Sequence, residues 1–208
     1  MKQHIMEPLG MTSTTFKLAS RPDIAKSRAD MTLRESNGKI VPSPTRYLSD
    51  NEPTSLGGGG LFSTTSDYIK VLQAILNKDT RLLKPDSMDL LFEPCLPPGP
   101  AKHYQKFRSF QDGQATNHGN MDIESPSKVD YALGGMVAME GVEKGRKRGT
   151  LAWGGLPNLS WFIDRDAGFA VMFASQLLPA GDLDSLRLMR KAEAAIYSGE
   201  FFEGAKQL

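Results

Sequence analysis

A serine and a lysine three residues apart on one helix face make a nucleophile, because the amine can take the hydroxyl proton. The 208-residue sequence holds two Ser-x-x-Lys strings, Ser36 to Lys39 and Ser125 to Lys128. With 17 serines and 14 lysines, about one such string is expected by chance. Neither lies in helical sequence. The first straddles Asn37-Gly38, a turn signal, and in the second Pro126 directly follows the serine. Neither is expected to act as a nucleophile. Tyr47-Leu48-Ser49 sits in a proline-bounded loop and reads as a surface tyrosine. His118, in Asn117-His118-Gly119-Asn120, has no identifiable partner for base catalysis. Gly57 to Gly60 lack the following Gly-Lys-Ser/Thr of a phosphate-binding loop and read as a tight turn before a helix. The run Lys144 to Arg148 reads as a solvated hairpin loop in preference to an anion site. His4, His103, His118 and the single Cys95 are too scattered for a zinc site, so neither metal nor other cofactor is expected.

The elements that would position any site fall in two regions. Over residues 1–130 the chain is helical and loop-like. Ile5 and Leu9 open it, with Pro8 and Gly10 against continuation of a helix. Residues 17–56 are polar and proline-rich, and Asn37-Gly38 predicts a hairpin with a two-residue turn. Tyr68, Ile69, Leu72, Ile75 and Leu76 have helical spacing, with Ser63 or Thr64 as N-cap and Asp67 in the first turn. A shorter helix is expected from Pro85 through Met88, Leu91 and Phe92, ended by Pro94 to Pro100. Residues 101–128 read as a long polar loop.

From Tyr131 to the end the period becomes two. Tyr131, Leu133, Gly135, Val137 and Met139 alternate as one strand. Further strands are expected near Thr150–Trp153, Leu159–Ile163 and Phe169–Ser175, the last two joined by a turn at Asp164 to Gly168. A helix from Asp182, with Leu186, Met189, Ala192 and Ile196 on one face and Gly199 as its stop, closes the region. The fold class is therefore α+β: an antiparallel meander with a C-terminal helix, plus part of a helical region, in a single domain over residues 1–208.

Composition narrows the partners. The chain has 25 basic and 24 acidic residues and is 39% hydrophobic, so it suits a packed globule with no long-range field for nucleic acid or an anionic membrane. The N-terminus has neither a signal-peptide pattern nor about 20 apolar residues to span a bilayer. A small-molecule or protein partner and a cytoplasmic location are the expectations.

Several landmarks together resemble a known family. They are Glu7-Pro8-Leu9-Gly10-Met11 with Thr14 and Phe16, Gly57 to Leu61 with Ser63-Thr64 and Asp67-Tyr68, Trp153-Gly154-Gly155-Leu156-Pro157-Asn158-Leu159, and Ser160 to Asp164. Phe169 to Gln176 and Pro179-Ala180-Gly181-Asp182 complete the set. The chain resembles the C-terminal part of serine β-lactamase-like proteins, the group of class C β-lactamases and family VIII esterases, and within it the fungal transesterases of polyketide pathways. The resemblance implies a β-lactamase/transpeptidase-like fold and an acyltransferase or esterase acting on a small-molecule ester or thioester. It places the third catalytic motif at Trp153, Gly154, Gly155 and Leu156, with the backbone N–H of Gly155 or Leu156 completing an oxyanion hole.

In that family the Ser-x-x-Lys helix and the tyrosine motif precede the Pro-Leu-Gly-Met landmark, which here begins at Pro8. The resemblance thus implies that nucleophile, lysine and tyrosine are absent from this sequence, and that the chain alone would expose a sheet edge and an apolar trough. Three readings stay open: an incomplete acyltransferase or esterase, an inactive binding or scaffolding remnant, and a half-enzyme completed by a second, N-terminal chain.

Overall fold

Met6, Leu9 and Met11 turn inward from a π-helical turn at Lys2–Met6 and the bend after it, where Gly10 takes φ 64°. With Ala74 they form one apolar cluster, which Ile5, Phe16, Leu61, Val71 and Leu82 flank. The structure, a computed structural model, describes residues 1–44, 57–109 and 128–200. Ser125, Tyr47 and His118 lie outside them.

After a 3₁₀ turn at Leu18–Ser20 and a single helical turn, α1 (Pro22–Ala25), come β1 (Thr32–Arg34) and β2 (Ile40–Pro42), paired antiparallel. The hairpin expected at Asn37-Gly38 is present, but its loop has three residues and not two. Gly38 donates to the Glu35 carbonyl, Glu35 N–H donates to the Lys39 carbonyl, and Gly38 takes φ 84°. This is a turn closed by a left-handed glycine, which carries the extra residue as a bulge.

Helix α2 (Thr65–Leu76) starts as expected, with the Thr64 hydroxyl accepting the Asp67 N–H at 3.1 Å. Helix α3 (Pro85–Leu90) stops before Leu91 and Phe92, which the spacing had assigned to it. Helix α4 (Pro98–Ser109) overturns the loop reading of residues 101–109. Pro98 and Pro100 occupy its first turn, where a missing N–H costs no helical bond, and no breaker follows before Ser109.

The alternating run at Tyr131 is not one strand but two, β3 (Val129–Ala132) and β4 (Gly135–Ala138), joined at Leu133-Gly134. Alternation read straight through would put Tyr131 and Val137 on one face. The register pairs Tyr131 with Met136, and Leu133 is 70% exposed at the tip. One face therefore carries Val129, Met136 and Ala138, and the other Ala132 and Val137. Strands β5 (Leu151–Gly155), β6 (Leu159–Asp164) and β7 (Phe169–Phe173) complete a five-stranded antiparallel sheet in the order β3-β4-β5-β6-β7. The β6–β7 turn is as expected: Gly168 takes φ 77°, and Asp164 Oδ1 accepts the Ala167 N–H.

Two further elements finish the chain. The pair Leu177–Leu178, β8, lies parallel to β1 and makes a second sheet, β2-β1-β8, that no periodicity announced. Helix α5 (Leu183–Ser198) is capped by Asp182 and stopped by Gly199 at φ 84°, but its inner face departs from expectation. Ala192 is exposed and Glu193 is buried beside Ser185, Leu186 and Met189. Adjacent residues of β6 show how the helices cover the sheet. Trp161 shares a hydrogen bond with Tyr68 of α2, and Phe162 stacks on Tyr197 of α5 at 6.3 Å. Since neighbouring strand residues face opposite ways, α2 and α5 lie on opposite faces.

Candidate functional site

Strand β5 carries three of the four residues singled out by resemblance. Its ladder with β4 covers only Leu151 and Ala152, opposite Val137 and Met136, so β5 runs on past the end of β4. Beyond that point its register is with β6: Trp153 opposite Trp161, Gly154 opposite Ser160 and Gly155 opposite Leu159. The strand ends in backbone. A Cβ on Gly155 would come within 3.1 Å of the Leu159 side chain, a tight approach that the leucine would have to relieve by a small shift. Leu156, the fourth residue, is 47% exposed in the turn Leu156-Pro157-Asn158.

Trp153 is half-buried. Its ring meets Tyr131 at 5.6 Å and 58°, and it packs against the apolar cluster formed by Val129, Met136, Ala138, Ala152 and Phe162. The side chain is therefore part of the core as well as a neighbour of the strand end.

Asn158 gave no signal of its own in the sequence beyond membership of the motif. It is fully buried and takes the left-handed conformation, φ 57°. Its Nδ2 donates to the Leu177 carbonyl at 2.8 Å and the Pro179 carbonyl at 2.9 Å. Its Oδ1 accepts from Gly181 N–H at 2.9 Å and Asp182 N–H at 3.2 Å. Ser175 Oγ donates to the Pro157 carbonyl at 2.7 Å. The turn after Gly155 is thus tied to the segment that runs from β7 to α5.

That segment is itself anchored. Asp182 Oδ1 accepts the Ser185 N–H at 2.8 Å, and Arg34 Nε of β1 donates to Asp182 Oδ2 at 2.6 Å. Burial alone would raise the Asp182 pKa, but the Arg34 guanidinium and the Ser185 donors outweigh it and hold the carboxyl below its ordinary value.

Of the two Ser-x-x-Lys strings, neither of which is expected to supply a nucleophile, only Ser36 to Lys39 lies wholly among the described residues. Ser36 and Lys39 are both exposed in the β1–β2 turn, where no helix aligns them. The lysine of α2, Lys70, is taken up by Asp67 Oδ1 at 2.9 Å and the Gly10 carbonyl at 2.6 Å. Asp67 also accepts from Ser13 N–H and Thr14 Oγ1, so the cluster fastens the N-terminal segment to α2.

The run Lys144 to Arg148 departs from its solvated reading at Gly145 and Arg146, which are buried. Arg146 is 4% exposed, its Nη2 lies 3.2 Å from Glu193 Oε2, and its guanidinium covers the Phe162 ring at 4.5 Å. Glu193 Oε1 also accepts the Arg146 N–H at 3.0 Å and pairs with Arg190 at 2.8 Å. The arrangement clamps the β4–β5 connection onto α5.

Comparison with known proteins bears on the family and the fold. A family model described as Beta-lactamase matches residues 1–196. The ML-236A carboxylate methylbutanoyltransferase mlcH of Penicillium citrinum is 36% identical over 202 residues, 95% of this chain and 47% of that protein. The Monacolin J acid methylbutanoyltransferase of Aspergillus terreus is 36% identical over 203 residues, again 95% of this chain, and 48% of its own length. The unliganded Simvastatin Synthase (LovD) of Aspergillus terreus, as its selenomethionyl derivative, superposes with a TM-score of 0.87 at 35% identity, over 95% of this chain and 49% of that one. The chain spans about half the length of the curated relatives it matches.

Proposed function

The chain belongs to the Beta-lactamase family, and from that premise we propose that it forms the oxyanion side of a serine acyltransferase, or of a related esterase, in fungal secondary metabolism. Its fold is β-lactamase/transpeptidase-like, and its relatives are fungal acyltransferases. The observation that carries the reading is the end of β5: two glycines beside a half-buried tryptophan, followed by a turn tied to the scaffold through a buried asparagine.

In this reading the N–H of Gly155 or Leu156 donates to the oxyanion of the tetrahedral intermediate, a contribution of about 3–4 kcal/mol in enzymes generally. Gly154 and Gly155 let an acyl carbonyl approach the backbone, and Trp153 lines the acyl pocket. The serine, lysine and tyrosine come from sequence other than these 208 residues, on the same polypeptide or on a complementing N-terminal chain. The serine oxygen attacks the acyl carbon of a small-molecule ester or thioester, and the alcohol or thiol leaves with the proton. The acyl group then passes to an acceptor alcohol, or to water in an esterase. Residues 1–208 act as one domain of this enzyme, in the cytoplasm, without cofactor, nucleic acid or membrane. Among the described residues no helix is long and apolar enough to cross a membrane.

The test joins the chain to the missing chemistry. The 208-residue chain is co-expressed with the part of the Aspergillus terreus methylbutanoyltransferase that this chain does not match. The complex is assayed with a methylbutanoyl thioester and treated with a fluorophosphonate. Transfer and a single adduct on the complementing segment are expected, with neither from the chain alone. An adduct on a unique serine of the 208 residues would overturn the placement of the nucleophile, and a folded complex without transfer or adduct would overturn the acyl-transfer reading.

A further inference from the structure

Resting on that reading, we propose that Asn158 is the positioning residue of the site, whose carboxamide sets where the backbone donors of Gly155 and Leu156 stand. An asparagine amide has two N–H donors and a carbonyl with two lone pairs. All four are used here, on Leu177, Pro179, Gly181 and Asp182. These partners belong to one continuous segment, so the side chain sews the β5–β6 turn to the start of α5 instead of merely filling a hole.

The position suits asparagine and few other residues. The backbone at Asn158 is left-handed, which asparagine tolerates better than most side chains. Aspartate would keep the acceptors for Gly181 and Asp182 and lose both donors. Alanine and glycine lose all four bonds, and glycine alone does so without backbone strain. Ser175 adds a second, independent tie to the same turn at the Pro157 carbonyl. Because Asp182 is held by Arg34, the turn is referred through this segment to β1 of the second sheet. Leu156 is only two residues from Asn158, so a shift of the turn reaches the donors undamped, and an error of about 1 Å at a reacting centre costs about 100-fold in rate.

The experiment uses the complex described above. Asn158→Gly, Asn158→Asp and Ser175→Ala are compared for kcat, donor KM and amide exchange at Gly155 and Leu156. For Asn158→Gly, kcat should fall about 100-fold with donor KM within about twofold, and exchange at the two amides should quicken. Asn158→Asp should be intermediate, and Ser175→Ala should lose about 10-fold. A folded Asn158→Gly complex with unchanged kcat overturns the positioning role and leaves acyl transfer standing. If that variant does not fold, Ser175→Ala decides: unchanged kcat and unchanged exchange there overturn the role. A wild-type complex that transfers nothing overturns the acyl-transfer reading and this inference with it.

Discussion

Replacing Glu193 with glutamine should be among the most damaging conservative changes available to this chain. The carboxylate is 3% exposed, and it answers both the side chain and the backbone N–H of Arg146 as well as Arg190. Burial pulls the Arg146 guanidinium below its ordinary pKa and Glu193 pushes it back, so the charge survives in place because of this partner. Removing one member of a buried pair leaves an uncompensated charge, at about 3–5 kcal/mol. With a urea slope of about 2 kcal/mol/M, the unfolding midpoint should drop by about 2 M. Urea titration followed by the fluorescence of Trp153 and Trp161 reads it directly. The double variant Arg146→Met/Glu193→Leu should recover much of the loss, since a buried pair can give way to apolar side chains. It should not recover all, because the Arg146 N–H loses its acceptor, at about 1–3 kcal/mol. A Glu193→Gln variant within about 1 kcal/mol of the parent, or a double variant no better than the single, would refute the clamp.

Asp67 gives the chain an acid limit. Burial alone would raise its pKa, but hydrogen bonds from Lys70, Thr14 and Ser13 win and hold it below 3.8. A depressed carboxylate contributes stability that is present above its unfolded pKa and is lost as pH falls through the lower folded value. Asp67→Asn should therefore be less stable than the parent by about 1–3 kcal/mol at pH 7, with the gap closing below about pH 4. A gap that does not change with pH would count against the pairing. Gly135→Ala tests the β3–β4 hairpin: the residue sits at φ 151°, and a Cβ would lie 2.9 Å from the Ala152 carbonyl oxygen. The variant should lose about 2 kcal/mol in a urea titration, and an unaffected midpoint would mean that this hairpin packs differently on β5.

What was legible in the sequence was what local rules decide. Thr64 and Asp67 announce α2, Asp182 and Gly199 bracket α5, and Asp164 to Gly168 mark the β6–β7 turn, each by chemistry confined to a few residues. The failures share one cause, which is that the deciding partner is far along the chain. Alternation from Tyr131 to Met139 has the same period whether the run is one strand or a tight hairpin, and only the pairing of Tyr131 with Met136 separates the two. Strand β8 is two leucines that become a strand because β1, some 144 residues earlier, accepts them. Arg146 sits in a run of charges that reads as solvated until Glu193 is placed beneath it. Ala192 looked like the core position of α5 because apolar spacing favours it, yet the buried neighbour is that same Glu193.

The candidate site shows the same division more sharply. Trp153, Gly154, Gly155 and Leu156 were legible only as a resemblance, because a site made of backbone donors has no titratable signature for composition or spacing to reveal. What distinguishes such a strand end from any other hairpin is the rigidity of the turn behind it, and rigidity is a property of partners. Here the turn is fixed by one carboxamide that reaches the stretch between β7 and α5 and by one hydroxyl that reaches back from it, and Arg34 of the second sheet holds that stretch in turn. The small sheet β2-β1-β8 therefore has a use that its three short strands would not suggest. In the proposed reading it gives the β5 terminus a fixed reference outside its own sheet, so that breathing of the meander need not move the proposed donors. Arg34, more than 100 residues from Trp153 in sequence, is accordingly the position at which a surface-like substitution should reach the site.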